Sequence, residues 1–392
     1  MIASPNNSTA EKTRSTDAGL LDQSALSDLA QRLVEAARRA GADAADAVAV
    51  RGVSQGVEVR DGRVEESERS EGDDVGLRVL VGKRQAVVST NDVGGDGIAK
   101  LAERAVAMAR VAPDDDYVGL ADPALLAREF PNLDLLDPSM PSTAELERRA
   151  LEAEAAGIAV KGVTKSGGAS ASSGIGGMVL VTSTGFHGAY LRSSQGISMT
   201  AISGTGTGME RDYDFSSALH GADLDSPESI GRSAGARAVA RANPRKAETC
   251  KAPVIFDPRV AGSLVGHLVG AANGASIARK TSFLKDRLGQ RLFANGIRII
   301  DDPRRVRGLR SQSFDAEGVA TKQLAIIDDG VLTSWLLDSA TARELGMTTT
   351  GHAHRGVSSS PTPGAYNLHM EAGEVTPAEL MADIKQGFYV TD

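Results

Sequence analysis

Cysteine is almost absent. The one in 392 residues, Cys250, leaves no intramolecular disulfide framework and no cysteine-rich metal cluster. Its expected role is that of a small residue near the start of a strand. Aromatic residues are also scarce at 4%, with a single tryptophan, so the core must be built from small aliphatics. Excess basic charge is lacking too: 43 Lys and Arg face 51 Asp and Glu, for a net charge of −8 and a pI near 5.4. That balance argues against a nucleic-acid-binding surface, which needs a basic face. No run approaches the roughly 18 apolar residues of a membrane span. The N-terminal stretch MIASPNNSTAEKTRSTDAG is polar and has no apolar secretory segment. The expectation is a cytoplasmic protein with a disordered tail over residues 1–22.

What is present organises into three regions. Over residues 23–111, Leu26, Leu29, Leu33 and Ala37 share one face of a helix that Gly41 stops. Residues 45–53 read as a strand. Residues 56–69 read as a hairpin turning on Asp61-Gly62, the preferred two-residue turn. A second hairpin turns on Gly82-Lys83, and residues 98–109 return to helical spacing. Five prolines between 112 and 141 mark a linker. In the region 142–246, Ser142 and Glu145 have capping-box spacing ahead of a helix. Gly-, Ser- and Thr-rich strands follow, then a helix from Pro227 to Ala242. The segment Gly204 to Gly208, GTGTG, reads as a loop, since it lacks the lysine and the strand-to-helix setting of a phosphate loop.

The third region, 247–392, is organised around CKAPVIFDPRVAGSLVGHLVGAANGASIARK. Pro253 to Phe256 reads as a strand, Asp257 as an N-cap, and Pro258 as the first helical residue. Val260, Leu264, Leu268 and Ala271 recur at helical spacing, widened by Val265 and Val269. A helix apolar almost all round is expected to be the buried core of its domain. The strands beyond it predict a mainly antiparallel β layer. The predicted fold class is α+β throughout: an N-terminal helix-and-antiparallel-sheet domain, a β-rich middle region, and a barrel-like C-terminal domain around one buried helix.

From Val254 to Asp392 the chain resembles the TldD/TldE (PmbA) metalloprotease family, and the likeness extends back to about Ala25. In the catalytic TldD type the equivalent helix carries His-Glu-x-x-x-His, two zinc ligands and a water-activating glutamate. Aligning on Arg279-Lys280 puts that motif over Gly266 to Ala271, so Gly266 and Ala271 stand at the histidine positions and His267 at the glutamate position. GHLVGAANG is the form of the TldE/PmbA subunit. The resemblance implies a cytosolic hetero-oligomer in which a TldD-type partner holds zinc and peptides are hydrolysed, while this chain binds no cofactor. A homodimer in isolation is a further expectation. The catalytic subunits draw a third zinc ligand, a cysteine, from strands beyond the point where this sequence stops. The reading is therefore of a shortened C-terminal domain, or of a final sheet completed some other way.

Six histidines are present, none paired at helical zinc spacing. His352 and His354 form the one cluster; Gly351 and Gly356 flank it, which predicts a solvated or substrate-facing loop rather than a zinc site. His267, His352 and His354 are the candidate cleft residues, and no residue is assigned as catalytic. His267 has a structural alternative, a hydrogen-bonded helix residue at a domain or subunit contact. Two other functions stand beside the protease-subunit reading. One is a peptide-binding or regulatory module without protease activity, the family having also been named a modulator of DNA gyrase. The other is an independent hydrolase, which no GxSxG-type elbow supports, since the match at Gly231 to Gly235 falls within the helix expected from Pro227 to Ala242.

Overall fold

The computed structural model describes residues 22–92 and 96–392. All of the expected tail except Asp22 lies outside the described residues. The chain opens with α1 (Ser24–Arg39), β1 (Ala44–Arg60), β2 (Arg63–Val81), β3 (Arg84–Thr90) and α2 (Gly97–Val111). After the proline-rich segment come α3 (Thr143–Ile158), β4 (Val163–Thr182), β5 (His187–Ser203), β6 (Glu210–Ala218) and α4 (Pro227–Ala240). The strands form one antiparallel sheet in the order β3-β2-β1-β4-β5-β6. Residues on either side of the linker therefore share a sheet, joined where β1 pairs with β4 from Asp46↔Thr182 to Val59↔Ala169.

Side chains alternate across a strand, and β1 uses both faces. Its odd-numbered residues Ala45, Ala47 and Ala49 pack under α1 and α2 with Leu33, Ala105 and Val79. Farther along the same face, Val57 and Val59 pack under α3 and α4 with Leu146, Ala234 and Met199. The even-numbered Asp46 and Val48 face the other way, toward the C-terminal region. The Asp61-Gly62 turn is as expected: both residues have positive φ, 53° and 72°, as a type I′ hairpin requires. Glu154 of α3 locks it, accepting hydrogen bonds from the Asp61 and Gly62 amides at 2.8 Å each.

The C-terminal region contains β7 (Val254–Phe256), α5 (Pro258–Ala271), α6 (Gly274–Ala278), β8 (Ile299–Asp301), β9 (Leu324–Asp328) and β10 (Val331–Leu332). It continues with α7 (Ser339–Glu344), β11 (Ala353–His354), β12 (Thr362–Pro363), β13 (Leu368–Met370), α8 (Pro377–Ala382) and β14 (Phe388–Val390). A four-stranded antiparallel sheet runs β10-β9-β8-β13, and β14 pairs in parallel with β7. Its core is Ile277, Ile299, Ile326, Ile327, Leu332, Trp335 and Leu336. The mixed α+β architecture, mainly antiparallel, is the one expected. Among the described residues no helix is long and apolar enough to cross a membrane.

The expected burial of the organising helix is not observed. No residue of α5 is buried, and Leu264 is 49% exposed. Only the side carrying Val265, Leu268, Val269 and Ala271 meets the core. The core is centred instead on β8, β9 and the Trp335–Leu337 segment. An apolar helix shows by its sequence that it wants cover on most sides, not that the chain supplies that cover.

The C-terminal region seats on the back of the large sheet. Val48 and Leu180 from the sheet pack with Phe186 and Phe314. The Phe186 and Phe314 rings meet edge to face with centroids 5.2 Å apart, a favourable aromatic geometry. At Gly76 the backbone of Val357 comes so near that an added Cβ would lie 1.9 Å from its carbonyl oxygen.

Candidate functional site

Helix α5 starts as its sequence predicts. Asp257 accepts a hydrogen bond from the Arg259 amide at 2.9 Å, with Pro258 in the first turn. Tyr389 of β14 donates its hydroxyl to the other carboxylate oxygen at 2.7 Å. That bond, together with the Arg259 amide, holds the Asp257 carboxyl below its usual range.

Beyond the cap, α5 has one packed side and one open side. Gly262, Gly266 and Gly270 recur every fourth residue, and a Cβ at any of them would meet nothing within 4 Å. Bare backbone is thus presented outward. Two clefts that share Leu268 and Phe293 lie beside the helix. The first, of about 550 Å³, lies among Val254, Phe256, Leu264, Met370, Leu380 and Ile384. The second, of about 460 Å³, is walled by Leu268, Phe283, Leu284, Leu292 and Phe293, with His267 and Arg287 as its nitrogen-bearing residues. Phe283 is 76% exposed. Apolar concavities with few polar groups are the usual form of a ligand site.

The three positions singled out on this helix separate. Gly266 and His267 are exposed, whereas Ala271 is half-buried against the core. Neither Gly266 nor Ala271 carries a ligating atom, so these residues do not fit a zinc ion. Among the described residues no group of three or more His, Cys, Asp or Glu is arranged to hold a metal.

His352 and His354 lie together but away from the His267 cleft, and they do not form a solvated loop. His352 is fully buried, its Nδ1 2.8 Å from the Thr350 carbonyl oxygen. Its Nε2 sits 3.2 Å from Asp301 without hydrogen-bond alignment. Both imidazoles pack on Tyr366, with centroids 5.4 and 4.4 Å away. Burial, reinforced by Arg310 and His352, pushes His354 down to a pKa of about 4, so it is neutral at pH 7. Of the flanking glycines that suggested a loop, Gly351 serves close packing, since a Cβ there would sit 2.8 Å from the Ala320 carbonyl oxygen, whereas one on Gly356 would meet only Ser359 at 3.8 Å.

Sequence reasoning missed a buried charged seam between the large sheet and the C-terminal region. Asp46 of β1 accepts from Arg78 of β2, whose Nε is 2.8 Å away, and from Arg355. All three side chains are almost wholly buried. Nearby, Asp315 accepts from the amides of Glu317 and Val319 at 2.9 Å and of Ala353 at 3.1 Å, tying its own turn to β11. Burial and the neighbouring Glu317 push its carboxyl well up. The available signal was a single charge in each of two apolar strands, Asp46 in AADAVAV and Arg78 in VGLRVLV.

The order of these parts along the chain matches that of a known family. Models described as PmbA/TldA metallopeptidase domain 1, central domain and C-terminal domain match residues 45–109, 136–242 and 249–392. This chain belongs to the PmbA/TldD metallopeptidase family. It is 36% identical over 337 residues to Metalloprotease PmbA of Escherichia coli O157:H7, covering 86% of this chain and 73% of the relative. It is 35% identical over 322 residues to the Metalloprotease PmbA homolog of Haemophilus influenzae, covering 82% and 71%. Crystallographic TldE from Thermococcus kodakarensis superposes with a TM-score of 0.81 over 93% of this chain and 82% of that one, at 19% identity, which establishes the shared fold.

Proposed function

We propose that this chain is the TldE/PmbA-type subunit of a cytosolic zinc metalloprotease complex that degrades or processes small or unfolded peptides. The observation that carries this reading is helix α5. It turns its glycine backbone and His267 outward and borders two apolar clefts, yet has no ligating atom at Gly266 or Ala271. A TldD-type partner holds the zinc, which supplies an activated water with a pKa near 7. This chain's own contribution is to bind, orient and shield. The apolar walls beside Leu264 and Phe293 take up apolar side chains, and the terminal strands β7 and β13 offer edges to which an extended peptide can add.

The test is hydrolysis of an unstructured peptide by this chain, by a HExxxH-bearing family member, and by their mixture, each with and without a chelator. Cleavage is expected to reach its full rate only in the mixture and to be chelator-sensitive. Chelator-resistant cleavage by this chain alone, abolished by a point mutation in it, would replace the subunit reading with that of an independent hydrolase.

A further inference from the structure

We infer that the cleft beside His267 binds the free C-terminal carboxylate of a peptide whose last side chain is apolar. The inference rests on the peptide-handling role proposed above and names the chemical class that this cleft takes. At about 460 Å³ the cleft falls in the range of small-ligand sites, roughly 300–1,000 Å³. Its walls divide by chemistry. Leu268, Phe283, Leu292 and Phe293 are apolar, Arg287 carries a fixed positive charge, and His267 offers a ring nitrogen. No acidic residue lines it, and the adjacent Asp286 lies against Lys285 at 4.0 Å.

One fixed cation over a mostly apolar floor is complementary to a monoanion attached to a hydrophobic group. A guanidinium grips a carboxylate through two parallel N–H donors. Arg287 spends one nitrogen on Gln290, its Nη1 lying 2.9 Å from Oε1, and keeps its others for a ligand. A multiply charged phosphate would leave charge uncompensated against the phenylalanines. Beside the cleft, Gly270 lies about one turn from His267 along the helix, and a Cβ there would meet nothing within 4 Å, so the helix surface next to His267 is open.

The experiment uses the full chain and three probes: N-acetyl-leucyl-phenylalanine with a free carboxylate, the same peptide as its C-terminal amide, and inorganic phosphate. Binding is measured by calorimetry and by shifts of the His267 ring signals. The free acid is expected to bind saturably, and the amide and phosphate at least about tenfold more weakly. Arg287→Ala should abolish the preference for the acid, Arg287→Lys should keep part of it, and Phe283→Ala should weaken acid and amide alike. Both residues are exposed, and matched thermal melts confirm that the variants fold. Equal binding of acid and amide, a preference unchanged by Arg287→Ala, or no shift at His267 with any probe overturns the inference. Loss of hydrolysis in the mixing experiment with acid binding intact would count against the subunit reading alone. Intact hydrolysis without acid selectivity would count against this inference alone.

Discussion

Asp46 and Arg355 stand 309 residues apart in sequence and share a hydrogen bond with both side chains 1% exposed. The carboxylate sits between two guanidiniums, those of Arg78 and Arg355. Burial alone would raise its pKa, but the two arginines more than offset that and hold it below the usual range. Removing one partner of a buried ion pair typically costs about 3–5 kcal/mol because the remaining charge is stranded. Asp46→Ala strands two charges and is expected to cost at least that, measured by urea denaturation. Arg355→Met leaves the Asp46–Arg78 pair and should cost less. Equal and small effects from both substitutions would mean that water, not Asp46, satisfies the arginines.

His354 should leave a signature in the pH dependence of stability. Its folded pKa of about 4 lies below the roughly 6.5 of a free histidine. The unfolded chain therefore takes up this proton first as pH falls. The stability tied to the neutral ring is complete above about pH 6.5 and is lost progressively toward pH 4, by up to about 3 kcal/mol. The difference between the wild type and His354→Gln, followed from pH 8 to pH 4, isolates this contribution from that of the buried carboxyls. A difference that does not vary with pH would contradict it.

The open side of α5 and the core strand β9 should respond differently to substitution. Leu264 is half-exposed, so Leu264→Asp is expected to shift stability by less than about 1 kcal/mol. Ile326 is fully buried, and Ile326→Ala should cost about 2–5 kcal/mol. Thermal melting of both variants checks the contrast. A severe loss from Leu264→Asp would restore the helix to the core.

Glu154 tests the hairpin lock. It is 1% exposed and binds two turn amides and the Ser166 hydroxyl. Glu154→Ala leaves those amides without their charged acceptor and should cost about 1.5–3 kcal/mol. Amide exchange at Asp61 and Gly62 should accelerate along with the loss of global stability. Unchanged exchange at both amides would show that the turn holds without it.

The elements legible in the sequence were those fixed by short-range chemistry. The Asp257-Pro258 start, the Asp61-Gly62 turn and the helix over Ser24–Arg39 depend on neighbours a few residues away. The family, too, could be read from one local stretch around Arg279-Lys280. Strand lengths were read short: β1 runs unbroken from Ala44 to Arg60 because its partners β2 and β4 continue alongside it. Burial was the weakest reading, since it is set by what the rest of the chain brings to a surface. Leu264 and Ile326 are equally apolar, yet only the second is enclosed. His352 shows the converse, a polar residue between small loop-forming neighbours that folds into the interior against Tyr366 and Asp301.

The contact at Gly76 limits how this chain can be recombined. With the Val357 carbonyl pressed against a position that tolerates no side chain, β2 and the segment after β11 fit as a matched pair. A chimera that takes its C-terminal third from a relative with any larger residue at the equivalent of Gly76 would have to import that strand as well. Crossovers placed in the proline-rich connection cut through the pairing of β1 with β4, and those near residue 250 divide the Asp46–Arg355 ion pair between parents. The heritable unit of exchange in this fold is therefore larger than any of its three sequence regions.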